Sequence, residues 1–139
     1  MAGSVLAIDH GERRTGFAAT GPRRIAAHPL EAWSGPGDST ALLERVAELA
    51  AEREVATIVV GLPLNMDGSE GPRAAAVRVF LARLSERLPG VEVVAQDERL
   101  STKEAEELLR EAGHLRAELR ARRDSWSALV ILRDWLREA

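Results

Sequence analysis

The chain contains no cysteine and no tyrosine, only two phenylalanines, and a single lysine, Lys103. Without cysteine there are no disulfides, no thiolate metal ligands and no thiol nucleophile. The three tryptophans are Trp33, Trp126 and Trp135, and the last two fall in an apolar helical pattern that assigns them to a core. Recognition of a nucleic acid by such a chain would rest on backbone and shape more than on base stacking. No apolar run is long enough to span a bilayer. The N-terminus also lacks a charged region followed by an apolar stretch and a cleavage site. A cytoplasmic protein with neither membrane span nor signal peptide is therefore expected.

What the chain does have is charge. Nineteen basic and 22 acidic residues give a net charge of −3, which argues against indiscriminate nucleic-acid binding. The basic residues are nonetheless grouped, at Arg13-Arg14, Arg23-Arg24 and the run Arg116, Arg120, Arg122, Arg123, while acids gather between Glu44 and Glu54 and between Glu104 and Glu111. Apart from Lys103 these cations are arginines, whose planar fork suits phosphate. At 139 residues the chain has the size of one domain, and residues 1–139 are expected to form one.

Apolar runs and breakers set out the elements. Residues 4–9 form a strand buried on both faces, and Thr15 to Thr20 and Arg24 to Trp33 are two further strands joined at Gly21-Pro22. Ser34 to Asp38 is a loop, after which Asp38 or Ser39 caps a helix carrying Leu42, Leu43, Val46, Leu49 and Ala50 at helical spacing. Ala56 to Gly61 is a strand and Leu62 to Pro72 a glycine- and proline-rich loop. A helix from about Arg73 to Leu88 turns Ala76, Val77, Phe80, Leu81 and Leu84 inward, and Val91 to Gln96 returns as a strand. Ser101 and Glu104 form a capping box opening a helix that stops near Gly113, and a last helix begins at Asp124. Three strands followed by alternating helices and strands specify an α/β domain with a mixed sheet.

Three carboxylates stand at informative places: Asp9 at the end of the first strand, Glu98 after the last, and Asp124 at the opening of the final helix. Carboxylates at the ends of buried strands are costly unless a cation neutralises them. Hard divalent ions, Mg²⁺ or Mn²⁺, match an all-oxygen set, and two ions about 3.5–4 Å apart serve in-line phosphodiester hydrolysis. Asp9 would bridge, with Glu98 and Asp124 holding one ion each. Each acid also has a plainer reading: Asp9 as a turn cap, Glu98 as an exposed strand end paired with Arg99, Asp124 as a helix N-cap.

Four segments, in order and with fitting spacing, resemble the YqgF family, also called RuvX, of RNase H-like bacterial nucleases. They are Asp9-His10-Gly11 with Arg13-Arg14 and Gly16; Val60 to Glu70; Asp97 to Thr102 with Glu104-Ala105; and Asp124 with Ala128, Ile131 and Leu132. The resemblance implies an RNase H-like fold, a central mixed five-stranded sheet flanked by helices. It implies a divalent-metal-dependent nuclease, with Asp9, Glu98 and Asp124 as catalytic and metal-holding residues, that matures the 5′ end of pre-16S rRNA. The alternative is a Holliday-junction-resolving DNA endonuclease, the family's earlier label. Partners would be pre-16S rRNA or branched DNA, with association to a pre-ribosome, as a monomer or a homodimer.

Arg13, Arg14, Asn65, Ser69, Arg73, Arg122 and Arg123 are the candidate substrate contacts, although Asn65 and Asp67 are equally suited to local turn bonds. Two departures from the family pattern stand out. Thr20-Gly21 replaces a usual aspartate, and His10 replaces a more common aromatic; none of His10, His28 and His114 is given a catalytic role. The turn from Asp9 to Gly16 also resembles the phosphate-binding turn of sugar kinases and actin-like ATPases. Those proteins need a second lobe, for which this chain has no second such turn.

Overall fold

The computed structural model describes residues 3–98 and 116–138, with side chains described throughout except at residues 116–124. The expected capping box at Ser101 and Glu104 and the Arg99 partner lie outside the described residues. Five strands form one sheet: β1 (Ser4–Asp9), β2 (Arg14–Thr20), β3 (Ala27–Ser34), β4 (Val55–Leu62) and β5 (Glu92–Asp97), in the order β3-β2-β1-β4-β5. Pairs β1–β2 and β2–β3 are antiparallel, while β1–β4 and β4–β5 are parallel. This is the mixed five-stranded sheet expected from the sequence. The described helices are α1 (Thr40–Glu52), α2 (Pro72–Arg87) and α3 (Arg116–Glu138).

Strand alternation divides the core into two layers. Leu6 and Ile8 of β1, Phe17 of β2, and Ile58 and Val60 of β4 join Leu42, Val46, Val77, Phe80 and Leu84 on the face covered by α1 and α2. Val5 and Ala7, Ala18 and Val59 meet Leu129, Val130, Ile131 and Leu132 of α3 on the other. β1 is therefore central and buried on both faces, as its continuous apolar run requires. Ser39, not Asp38, caps α1: its Oγ accepts from the Leu42 N–H at 3.3 Å. Pro72 takes the first position of α2, where its missing N–H costs nothing. Pro29 lies on β3, an edge strand, the place in a sheet that tolerates proline.

Two boundaries differ from the sequence reading. β3 starts at Ala27 because Arg24 adopts φ 57° in a turn closed by its N–H on the Gly21 carbonyl at 3.0 Å. Its guanidinium donates to the Gly3 carbonyl at 3.0 Å and lies 5.3 Å from the Trp135 ring centre, so tertiary contacts hold that turn. The final helix does not begin at Asp124: it is already helical eight residues earlier, at Arg116, where the described residues resume. Ala, Arg, Glu and Leu fill residues 116–123 with no glycine or proline, so nothing in that stretch breaks a helix. The N-cap reading of Asp124 falls with that start.

Candidate functional site

The parallel half of the sheet brings the C-terminal ends of β1, β4 and β5 to one edge. Ile8 pairs with Val60, so Asp9 and Gly61 are the next residues of neighbouring strands. Gly61 in turn pairs with Gln96 and Leu62 with Asp97, and the Glu98 N–H continues that ladder onto the Leu62 carbonyl at 3.1 Å. Alternation from Val5 and Ala7 turns Asp9 toward the α3 face. The Glu98 side chain folds over Gly61 on that same face: a Cβ on Gly61 would overlap its carboxylate and stand 2.5 Å from Ile131 Cδ1. Gly61 is thus the bare backbone on which the second acid rests. An isolated glycine inside an apolar strand marks such a close approach, and that was its only signal in the sequence.

Asp124 comes to this face through its neighbour. Ser125 Oγ accepts from the Phe17 N–H at 3.4 Å, and Phe17 pairs with Ile8, the residue before Asp9. The backbone of Asp124, one residue earlier, therefore lies along α3 opposite the end of β1. Its side chain, and those of Arg122 and Arg123, lie outside the described residues. From Ser125 to Leu132 every residue of α3 is buried, so the helix is enclosed on all sides where it passes the site.

On the opposite face, His10 and Arg73 form a unit that the sequence did not reveal. Arg73 Nη2 donates to the His10 carbonyl at 2.7 Å and contacts His10 Nδ1 at 3.1 Å. A guanidinium can only donate, so Nδ1 accepts and the proton sits on Nε2, which donates to the Gly37 carbonyl at 2.8 Å. The ring packs on Phe80 with centroids 4.4 Å apart. A Cβ on Gly37 would overlap the Gly11 carbonyl and stand 2.8 Å from Nε2, so glycine is required there. Burial, then the Arg73 charge, push the His10 pKa below its ordinary 6.5, against the raising pull of Gly37 and Asp38. Arg73, a candidate phosphate contact, is anchored beside the end of β1 through its Nη2.

The burial of His10 has a measurable consequence. Because His10 binds its proton more weakly folded than unfolded, the unfolded chain takes up the proton first as pH falls. The His10 contribution to stability is therefore complete above pH about 6.5 and declines below it, until pH passes the lowered folded value. His10→Phe keeps the ring packing but leaves the Gly37 carbonyl without its partner, and should cost about 1–3 kcal/mol near neutral pH. Urea titrations of both proteins from pH 8 to 5 should show this gap narrowing with acidity; a constant gap would show that folding does not lower the His10 pKa.

The remaining candidates separate clearly. Arg13 and Arg14 are exposed in the turn after Asp9, whose backbone is tied to the 35–37 loop by Gly35 N–H to Arg13 O at 2.8 Å and Gly37 N–H to Glu12 O at 3.0 Å. Asn65 and Ser69 bind each other, Nδ2 to Oγ at 2.9 Å, and Ser69 also donates to Asp67 Oδ1 from its N–H at 2.9 Å and its hydroxyl at 2.6 Å. The local turn bonds to which that loop is suited are thus formed. Glu70 makes a two-pronged pair with Arg78 at 3.0 and 2.8 Å, fastening the loop to α2.

Among the described residues, no three His, Asp or Glu side chains cluster as a metal site. Two acids on one sheet edge and face, one of them laid on bare glycine backbone, nevertheless fit a hard divalent cation in donor type and in the room left for a carboxylate.

A family model named RuvX, described as Holliday junction resolvase, matches residues 3–138. A protein of Sodalis glossinidius is 44% identical over 137 residues, covering 99% of this chain and 96% of its own. One from Escherichia coli is 41% identical over 138 residues, covering 99% of each. Each carries the name "Putative pre-16S rRNA nuclease". Among solved structures, Thermus thermophilus RuvC in complex with a Holliday junction superposes with a TM-score of 0.60 at 16% identity, covering 99% of this chain and 96% of that one. The Fowlpox virus resolvase bound to junction DNA gives a TM-score of 0.60 at 7% identity, covering 97% of each. At such identities these two structures establish the fold, an RNase H-like one, and nothing finer.

Proposed function

Because this chain belongs to the RuvX family, we propose that it is a divalent-metal-dependent nuclease that hydrolyses phosphodiester bonds in maturing the 5′ end of 16S rRNA. The observation that carries this reading is the Glu98 carboxylate lying over Gly61, on the sheet face and edge to which β1 brings Asp9. Residues 1–139 act as one nuclease domain. Asp9, Glu98 and Asp124 would hold Mg²⁺ or Mn²⁺, which when bound activates water and neutralises charge developing on the leaving oxygen.

The chain's own residues supply the frame. Asp9 stands on a strand buried on both faces, so its position is set by the core rather than by a loop. Gly61 lets Glu98 lie close to the sheet, and the enclosed turns of α3 fix the backbone at Asp124. Arg73, held by the His10 carbonyl, keeps a positive charge beside this edge. Arg13 and Arg14, exposed in the adjacent turn, can meet phosphates on either side of the scissile bond.

The decisive experiment is Mn²⁺-dependent cleavage of a pre-16S 5′ leader set beside a four-way DNA junction, with Asp9→Asn as control. Cutting of the leader alone supports rRNA processing. Cutting of the junction alone, by a dimer matching its two-fold symmetry, replaces that reading with junction resolution. If Arg13 and Arg14 meet phosphates, replacing both with glutamine should flatten the dependence of log affinity on log salt. On single-stranded RNA the slope should fall by roughly 0.7 for each phosphate no longer neutralised. An unchanged slope would make them a solvated turn.

A further inference from the structure

We propose that the cavity beside His10 receives one nucleobase of the single-stranded RNA whose backbone passes the carboxylates. This rests on the nuclease reading and adds a specificity site to it. The cavity measures about 360 Å³ and lies between the 10–12 turn, the 37–38 loop and α2. Its lining starts at the residue following Asp9, at the same edge of the sheet but on its opposite face, so a strand engaged at the carboxylates crosses the end of β1 to present a base to it.

The lining selects a base over a phosphate. Arg73 and Arg83 bring donors, Arg83 having one N–H on the Asp38 carbonyl at 2.6 Å, while the carboxylates of Glu12 and Asp38 bring acceptors. An anion would meet those two carboxylates, whereas the edge of a base carries donors and acceptors side by side and can use both. The apolar part of the lining is Ala76, Val79 and Phe80, of which Val79, 60% exposed, offers hydrocarbon that a flat ring could cover. His10 contributes no free polar atom, since both ring nitrogens are engaged, and acts as a flat wall. The volume is at the small end of ligand sites and admits a base. The scarcity of aromatics argued for recognition by backbone and shape, and this cavity adds one base to that scheme.

The test is an abasic scan of a single-stranded RNA leader, read as equilibrium binding in Ca²⁺ and as cleavage in Mn²⁺. Wild type should lose roughly tenfold or more in affinity when the base at one position near the cut is removed, the scale of a single base–protein interaction. Ala76→Phe, which fills the cavity from a half-buried helix position, should show the same loss on intact RNA and no further loss at that abasic position. Val79→Ser, at an exposed site that cannot threaten folding, should give a smaller loss confined to the same position. Both variants should keep the wild-type rise in melting temperature with Mn²⁺, because they leave the carboxylates untouched. Identical abasic profiles for all three proteins would overturn the base site while the nuclease stands. Failure of wild type to bind or cut intact RNA would overturn both. If only abasic DNA gave the position-specific loss, the occupant would be a DNA base and the RNA assignment would be wrong.

Discussion

Asp9→Asn is expected to lower cleavage by a factor on the order of 10³, the loss typical of removing a group that stabilises transition-state charge, while leaving the apo protein as stable as wild type or more so. The reason is electrostatic. Two like charges about 4 Å apart repel by roughly 4 kcal/mol at an effective dielectric of 20, so acids gathered for a cation strain the protein without one. Asparagine keeps the shape and removes a charge. Mn²⁺ at about 100 times its dissociation constant should stabilise wild type by roughly 2.7 kcal/mol, and the variant should lose most of that gain along with its activity. If Asp9 merely caps the turn after β1, the pattern inverts: the variant melts lower or unchanged, and Mn²⁺ shifts both proteins equally. Thermal melts with and without Mn²⁺, run beside the cleavage assay, separate the two.

Gly61→Ala should be nearly as damaging, through a residue with no chemistry of its own. The added methyl group would occupy the space of the Glu98 carboxylate and press on Ile131. Overpacking of this kind costs about 1–3 kcal/mol. If that carboxylate holds the metal as proposed, displacing it should weaken Mn²⁺ binding by about 10–100-fold, as loss of a supporting interaction does at other metal sites. Calorimetric titration of Mn²⁺ measures the second effect independently of turnover. The double variant Gly61→Ala/Glu98→Ala decides the cause: with the carboxylate gone, the stability cost of the alanine should shrink to its contact with Ile131. Strictly additive costs would show that Gly61 and Glu98 do not share that space.

The fold was largely legible in the sequence because its elements are locally encoded. The continuous apolar run from Val5 to Ile8 identifies a strand covered on both faces, and Leu42, Leu43, Val46, Leu49 and Ala50 are the residues that α1 buries. In α2 the pattern found Val77, Phe80 and Leu84, although Ala76 and Leu81 are only half-buried and Ala74 takes the inner place. Boundaries were weaker where a distant partner sets them, as at Arg24, whose turn is held by Gly3 and Trp135, and where helix propensity runs on through a residue that resembles a cap, as at Asp124.

At the site, the acids themselves were readable, since carboxylates at the ends of buried strands demand an explanation from their cost alone. Their surroundings were not. That Glu98 lies on Gly61, that Arg73 is tied to His10 and fixes its tautomer, and that Arg83 lines a cavity beside it all depend on β4 lying between β1 and β5 and on the start of α2 reaching the end of β1. Periodicity reports which face a residue occupies. Only tertiary packing decides which residue from another element faces it, because contacts between strands and helices far apart in sequence leave no local periodic trace.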